Sequence, residues 1–172
     1  MKPKGAQPPT ARPEWTNARR VVVKIGQGAG VTLVETHEGG QGGIALGARL
    51  RQLGVPHIVI DTHERPGDQW RGRYKSLCLH DPVWYDHLPY LPFPDHWPVY
   101  TPKDKMGDWL ESYAKIMELD YWGSAPCRRA TWDAARQEWS VTVEREGREI
   151  VLKPKHLVLA TGMSGFPELP DL

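Results

Sequence analysis

The chain has 172 residues, with 22 Lys and Arg against 21 Asp and Glu, and 40% of its residues are hydrophobic. This length predicts one soluble domain, and the balanced charge argues against a nucleic-acid or anionic-membrane partner. No apolar run approaches the roughly 18 residues of a membrane-spanning helix, and the two cysteines, Cys78 and Cys127, cannot form a disulfide scaffold, so we expect a cytoplasmic protein.

The first 37 residues form two segments of different character. Residues 1–20 contain four prolines and have no apolar period, which predicts a flexible leader. The β-branched runs Val21–Ile25 and Val31–Val34 flank a glycine-rich stretch and predict a β-hairpin-like segment over residues 21–37.

A second glycine-rich stretch, Gly39–Gly43, opens a predicted helix that Gly54 closes as its C-terminal cap. The apolar positions of this helix are Ile44, Ala48, Leu50 and Leu53. His57–Asp61 follows as a short apolar strand that ends in an acid. Val31–Val34, the glycine turn, this helix and His57–Asp61 therefore give the order strand, turn, helix, strand and carboxylate.

That order is the pattern of a dinucleotide site, which needs helix N-terminal amides and a carboxylate about 20 residues further on. Asp61 lies 21 residues after Gly40 and 18 after Gly43. Gly40 and Gly43 fit the second and third glycines of G-x-G-x-x-G, whereas the first falls on Glu38. Because a carboxylate beside a phosphate is repelled by it, Glu38 is a departure that weakens the predicted site.

A second helix is predicted after residue 100. Thr101 is its expected N-cap, Pro102 suits the first turn, and Asp104 is placed to complete a capping box. Its apolar stripe consists of Met106, Trp109, Leu110, Tyr113 and Met117.

Three strands are predicted in the last third of the chain. Trp139–Val143 and Glu149–Leu152 alternate like paired strands, with residues 145–148 as the turn between them. His156–Ala160 is an apolar run typical of a buried strand.

Several ordered motifs resemble those of the flavin-containing monooxygenases, most closely the YUCCA-like branch. Asp61–Arg71 is similar to the family's segment from the ribose-binding acid to G-G-x-W, Leu91–Pro94 matches a later stretch, and Leu159–Gly162 matches its A-T-G element. The resemblance runs from Gly39 to Leu172. It implies an α/β fold: a three-layer, Rossmann-like FAD-binding domain over residues 38–172, with a β-meander insertion.

The resemblance also implies which residues hold FAD. Gly40, Gln41 and Gly43 would cradle the pyrophosphate, Asp61 would hold the adenosine ribose, and Cys127 would flank the adenine through its backbone.

At the flavin end, Gln69 and Trp70 would lie along the isoalloxazine and ribityl chain. His80 occupies the place of a polar residue beside the flavin ring and is the catalytic candidate. Three residues at the end of the last strand would cover the cofactor: Ala160, Thr161 and Gly162.

In this family NADPH reduces FAD, and one oxygen atom of dioxygen passes to a small organic substrate. The family's NADPH domain has no counterpart in the sequence, so we expect this chain to be the N-terminal FAD-binding portion, and NADPH to be bound by a domain outside it. N-oxygenation, S-oxygenation, Baeyer–Villiger insertion and oxidative decarboxylation all stay open as the reaction type. The oligomeric state is also open.

Other interpretations are weighed against this one. The chain could be an inactive nucleotide-binding or interaction remnant. The histidines and aspartates between His80 and His96 could bind a metal, although their spacing and the intervening prolines favour solvated loop residues, and we predict no metal site. Cys78, two residues before His80, could be a reactive thiol, but the flavin motif beside it disfavours this. Four of the eight tryptophans are expected to pack in the core and loops, namely Trp84, Trp97, Trp109 and Trp122.

Overall fold

The structure, a computed structural model, describes the backbone of residues 21–25 and all of residues 40–160. Its elements are β1 (Val21–Ile25), α1 (Gln41–Gln52), β2 (His57–Asp61), α2 (Asp68–Arg71), α3 (Val83–Asp86), α4 (Lys103–Ile116), β3 (Tyr121–Trp122), β4 (Cys127–Asp133), β5 (Glu138–Arg145), β6 (Arg148–Leu152) and β7 (His156–Ala160). The predictions for residues 1–20, Val31–Val34, Glu38, Thr161 and Gly162 lie outside the described ranges.

The central element is a parallel sheet with the strand order β3-β2-β1-β7. β1 lies between β2 and β7 and is parallel to both. The hairpin prediction is therefore wrong for Val21–Ile25, because both of its hydrogen-bonding edges are already occupied by parallel strands. Four of its five residues are Val or Ile, a composition typical of such a central strand.

The sheet is the middle of three layers. Val59 of β2 faces the core cluster that includes α1 and α4, whereas Ile58 and Ile60 face a second cluster with Val141 and Val143 of the antiparallel β4-β5-β6 meander. Successive side chains of β2 therefore point to opposite faces of the sheet. One set packs against the helices and the other against the meander. This confirms the three-layer α/β fold with a β-meander.

The periodicity of α1 predicts its buried face correctly. Ile44, Ala48 and Leu50 are buried, and the helix ends one turn before the next strand. Leu53 is the cap residue, and Gly54 follows with a φ of +67°, the left-handed conformation that glycine adopts most easily.

The stripe of α4 is also confirmed, since Met106, Leu110 and Tyr113 are buried. Its start differs from the prediction: Pro102 is the cap residue, and no side chain caps the helix. Thr101 is instead fully buried, and its backbone carbonyl accepts a 2.9 Å hydrogen bond from the Leu79 amide. Thr101 therefore ties the preceding loop to the helix rather than capping it.

The segment between α2 and α4 is held by aromatic packing. Phe93 stacks on Trp97 with 4.7 Å between ring centroids, and both rings contact Trp109 of α4. The packing role predicted for Trp97 and Trp109 is confirmed, and Trp122 is half-buried in the second core cluster. The prediction for Trp84 is wrong, because its side chain is 57% exposed.

Among residues 21–25 and 40–160, no helix is both long and apolar enough to cross a bilayer.

Candidate cofactor site

Three strands end at the same level at the carboxyl edge of the parallel sheet. Ile25 of β1 is in register with Asp61 of β2 on one side and with Ala160 of β7 on the other. With neighbouring strands about 4.8 Å apart, the Cα atoms of Asp61 and Ala160 lie about 10 Å apart. In open α/β sheets this edge is where ligands bind.

Within the described ranges, no side chain caps the backbone amides at the N-terminus of α1. Gly40 is the N-cap residue, it makes no side-chain cap hydrogen bond, and the first turn contains no acidic residue. The amides of the first turn have no intrahelical partner by position, and the helix dipole favours an anion there. The arrangement fits a phosphate group of a bound cofactor.

Gly40 and Gln69, two of the predicted cofactor residues, lie close together although they are 29 positions apart in the sequence. A Cβ on Gly40 would lie 3.1 Å from Oε1 of Gln69, tighter than an ordinary van der Waals contact. A glycine at position 40 therefore lets the Gln69 side chain approach the start of α1.

Asp61 is buried, with 4% of its surface exposed, and its carboxylate is hydrogen-bonded to His63. Its Oδ1 accepts a 2.9 Å hydrogen bond from the backbone amide of His63 and lies 3.0 Å from the Nδ1 of the same residue. This hydrogen bond raises the pKa of His63 despite partial burial. Burial, together with repulsion from Asp61, raises the pKa of Tyr121, which therefore stays neutral beside the carboxylate.

The turn after β2 is fixed by residues that precede β4. The Ala125 amide donates to the Asp61 carbonyl at 2.7 Å, and the Ser124 amide donates to the His63 carbonyl at 2.8 Å. Cys127, two residues further on, is buried with its side chain in the second core cluster. That the backbone of Cys127 borders the adenine stays a prediction.

A cavity of about 500 Å³ opens beside the first turn of α1. It brings together three predicted residues, Gln41, Trp70 and His80, and the side chain of His80 is 95% exposed. Asp86 also lines this cavity, and burial followed by repulsion from Asp81 raises the pKa of the Asp86 carboxyl.

The sequence predicts no cofactor role for His63, beside Asp61, or for Arg73 and Asp86 in the cavity, and Asp86 enters only the metal alternative. The signal for His63 is its position two residues after a strand-end acid, where its side chain can turn back to that acid. Asp86 lies in a four-residue helix with no detectable periodicity, so the sequence carries no comparable signal for it.

α2, which carries Gln69 and Trp70, is anchored to α4 by charge. The guanidinium of Arg71 contacts Asp68 at 2.8 Å and both Asp108 and Glu111 at 2.9 Å. Burial opposes ionisation of Asp68, but hydrogen bonds from Arg65 and Arg71 hold the pKa of Asp68 below its usual range.

The metal alternative gains no geometric support in the described part of the chain. Between residues 40 and 160, no three or more His, Cys, Asp or Glu side chains are grouped so that they could hold a metal ion. The acidic and histidine side chains from His80 to His96 are therefore not gathered into a ligand set.

No family model matches the sequence. The chain is 37% identical over 133 residues to indole-3-pyruvate monooxygenase YUCCA1 of Oryza sativa subsp. japonica. It is 33% identical over 134 residues to the probable indole-3-pyruvate monooxygenase YUCCA9 of Arabidopsis thaliana. Each match covers 77% of this chain and 32% of the relative.

Solved structures show the same fold. The S-allyl-L-cysteine S-oxygenase from Allium sativum superposes with a TM-score of 0.71 at 14% identity, over 89% of this chain and 38% of that one. A flavin-containing monooxygenase from Stenotrophomonas maltophilia gives a TM-score of 0.64 at 22% identity, over 84% of this chain and 38% of that one.

The parallel sheet, the uncapped helix N-terminus and the strand-end carboxylate define a dinucleotide-binding domain of the Rossmann-like class. The sequence of the chain is similar to that of the YUCCA branch of the flavin-containing monooxygenases. It spans about a third of the length of the curated relatives that it matches.

Proposed function

We propose that this chain is the FAD-binding portion of an NADPH-dependent flavin monooxygenase that transfers one oxygen atom of dioxygen to a small organic substrate. The observation that carries the proposal is the register at the carboxyl edge of the sheet. Asp61 and Ala160 flank the end of the central strand, and α1, which follows that strand, has an uncapped N-terminus.

At the adenosine half of the site, the residues of this chain bind and orient. The backbone at Gly40, Gln41 and Gly43 would hold the pyrophosphate. The carboxylate of Asp61 would accept hydrogen bonds from the ribose hydroxyls, and the backbone of Cys127 would border the adenine.

At the flavin half, Gln69 and Trp70 would lie along the ring and ribityl chain, and His80 would present a polar group from the cavity wall. Ala160, with Thr161 and Gly162 after it, would close the site. When bound, FAD supplies the redox chemistry that accepts a hydride and activates dioxygen. These side chains position the cofactor and shield it from water.

We assign NADPH binding to the part of the family architecture that lies outside this match. We further propose a cytoplasmic protein without a nucleic-acid or membrane partner, because the sequence has only two cysteines and the formal charge is only +1.

The test is FAD binding by the purified chain, followed by quenching of tryptophan fluorescence and by thermal melting. FAD at a hundred times its Kd should add about 2.7 kcal/mol to the free energy of unfolding. Asp61→Asn should lower the affinity for FAD at least tenfold, because it removes a charged acceptor for the ribose hydroxyls. Asp95→Asn, at an exposed loop position, is the matched control and should bind like the wild type.

Two results would contradict the proposal. A chain that neither quenches nor gains stability with excess FAD is not an FAD-binding portion. Equal affinity for FAD and for ADP would instead indicate a nucleotide-binding protein that does not recognise the flavin.

A further inference from the structure

We propose that His63 is the positioning residue of the Asp61 carboxylate and that its imidazolium form strengthens FAD binding. This inference rests on the proposed function, since it assigns Asp61 to the adenosine ribose. The sequence resemblance gives His63 no role.

His63 holds the Asp61 carboxylate at one of its two oxygens. His63 reaches Oδ1 of Asp61 both with its backbone amide, at 2.9 Å, and with Nδ1 of its ring, at 3.0 Å. The two contacts hold one oxygen of a side chain that is 5% exposed, so the rotamer of Asp61 is set before any ligand arrives. The second carboxylate oxygen is left to accept hydrogen bonds from ribose hydroxyls.

The position of His63 is itself restrained. Its backbone carbonyl accepts a hydrogen bond of 2.8 Å from the Ser124 amide. Gly123 packs so closely on the Glu64 carbonyl that no side chain would fit at position 123. The turn is therefore clamped between β2 and the residues before β4, and the His63 ring is presented to Asp61 by a fixed backbone.

The charges around His63 favour its protonated form. Asp61 faces it from β2, and Asp68 from α2 acts at longer range, although Asp68 is also paired with Arg65 at 2.9 Å. Glu64 is the next residue in the turn. Tyr121 of β3 adds no charge, because burial and the neighbouring Asp61 keep its hydroxyl protonated.

The consequence for FAD follows from the sign of these charges. FAD carries an anionic pyrophosphate, and an unpaired Asp61 carboxylate would repel it. A protonated His63 offsets that carboxylate while holding it in place. FAD affinity should therefore be highest below the pKa of His63 and should fall as the pH rises through it.

The experiment compares the wild type, His63→Gln and the control His96→Gln by measuring the Kd for FAD between about pH 5.5 and 8.5. Glutamine keeps a hydrogen-bond donor near Asp61 but cannot become charged, whereas His96 is exposed and lies in the loop before α4. From the lowest to the highest pH, the affinity of the wild type and of His96→Gln for FAD should fall about three- to tenfold. A shift of one unit in the pKa of His63 on binding corresponds to a factor of ten in affinity. His63→Gln should lose this pH-dependent component of the affinity.

The outcomes separate the two proposals. If wild-type and His63→Gln proteins bind FAD with the same pH profile, the role of His63 is wrong and the FAD site stands. If the wild type binds no FAD at any pH, the proposed function fails, and the inference fails with it.

A second measurement needs no cofactor. The pKa of the His63 ring in the free protein, followed by NMR, should lie above 6.5 and should fall in Asp61→Asn. An unchanged His63 pKa in that variant would overturn the pairing even if a substitution at position 63 failed to fold.

Discussion

Gly67 and Gly107 pack backbone against backbone and join the start of α2 to the middle of α4. Gly67 adopts a φ of +84°, and a Cβ added to it would lie 2.7 Å from the Cα of Gly107 and closer still to its carbonyl oxygen. Because α2 carries Gln69 and Trp70, this contact sets how the flavin end of the candidate site stands relative to the core.

We therefore expect Gly67→Ala to destabilise the protein more than Gly54→Ala does. Both glycines have a positive φ, but the space around Gly54 is open. Gly54→Ala therefore measures only the cost of placing a residue with a Cβ in the left-handed conformation, about 1–2 kcal/mol. At Gly67 the collision with Gly107 should add about 1–3 kcal/mol. Urea unfolding measures both values, and equal losses would show that the two glycines are not in contact.

Arg71 should be the charged side chain in this region on which stability depends most. Its guanidinium is 17% exposed, and Arg71→Ala would leave the Asp68 and Glu111 carboxylates without it. We expect a loss of about 3 kcal/mol, because one partner of a largely buried ion pair is removed. Arg136→Ala, whose ion pair with Asp133 is exposed, should lose no more than about 1 kcal/mol. A difference below about 1 kcal/mol between the two variants in chemical denaturation would argue against the network.

The hydroxyl of Tyr113 should contribute through one buried hydrogen bond. It donates to the Pro89 carbonyl at 2.7 Å, and burial raises its pKa to about 12, so it stays neutral. Tyr113→Phe leaves that carbonyl unpaired and should lower the free energy of unfolding by about 1 kcal/mol. Tyr74→Phe, at a side chain that is 66% exposed, should change nothing measurable in the same assay.

The predictions that succeeded rest on local patterns, and those that failed depend on distant residues. Periodicity locates the buried faces of α1 and α4 and the strand that ends at Asp61, because each is set within one segment. The local pattern predicts Val21–Ile25 as a hairpin arm, because its true neighbours, β2 and β7, follow much later in the chain.

The candidate site also combines features set by local sequence with features that depend on distant residues. The spacing from Gly40 to Asp61 is visible in the sequence, but the approach of Gln69 to Gly40 depends on how α2 docks on α4. His63 was overlooked because its contact with Asp61 depends on a turn held by Ser124 and Gly123, about 60 residues away.

Stability should depend on pH through His63 even without FAD. The pKa of His63 is raised in the folded chain, so its contribution is fully present below the unfolded value of 6.5 and is lost as the pH rises through the folded value. Because the His63 side chain is 36% exposed and solvent screens its charge, we expect about 0.2–1 kcal/mol. Asp68 and Glu111 do not interfere, since their pKa values are lowered and they titrate in acid.

The measurement is the melting temperature of the wild type and of His63→Gln at about pH 5.5 and 8.5. At the lower pH the wild type should melt at a higher temperature than His63→Gln. The difference between the two melting temperatures should become smaller at the higher pH. A gap that stays constant with pH would mean that His63 is not charged in the folded protein.

Thiol labelling should report on the flavin end of the site. Cys78 is exposed and lines the same cavity as Gln41 and Trp70, whereas Cys127 is 3% exposed in the core. A thiol reagent should therefore modify one cysteine in the folded chain and two after unfolding. FAD should slow the labelling of Cys78 several-fold, because its flavin half would fill the cavity beside Trp70. ADP lacks that half and should leave the rate unchanged, so equal protection by ADP and FAD would place the flavin elsewhere.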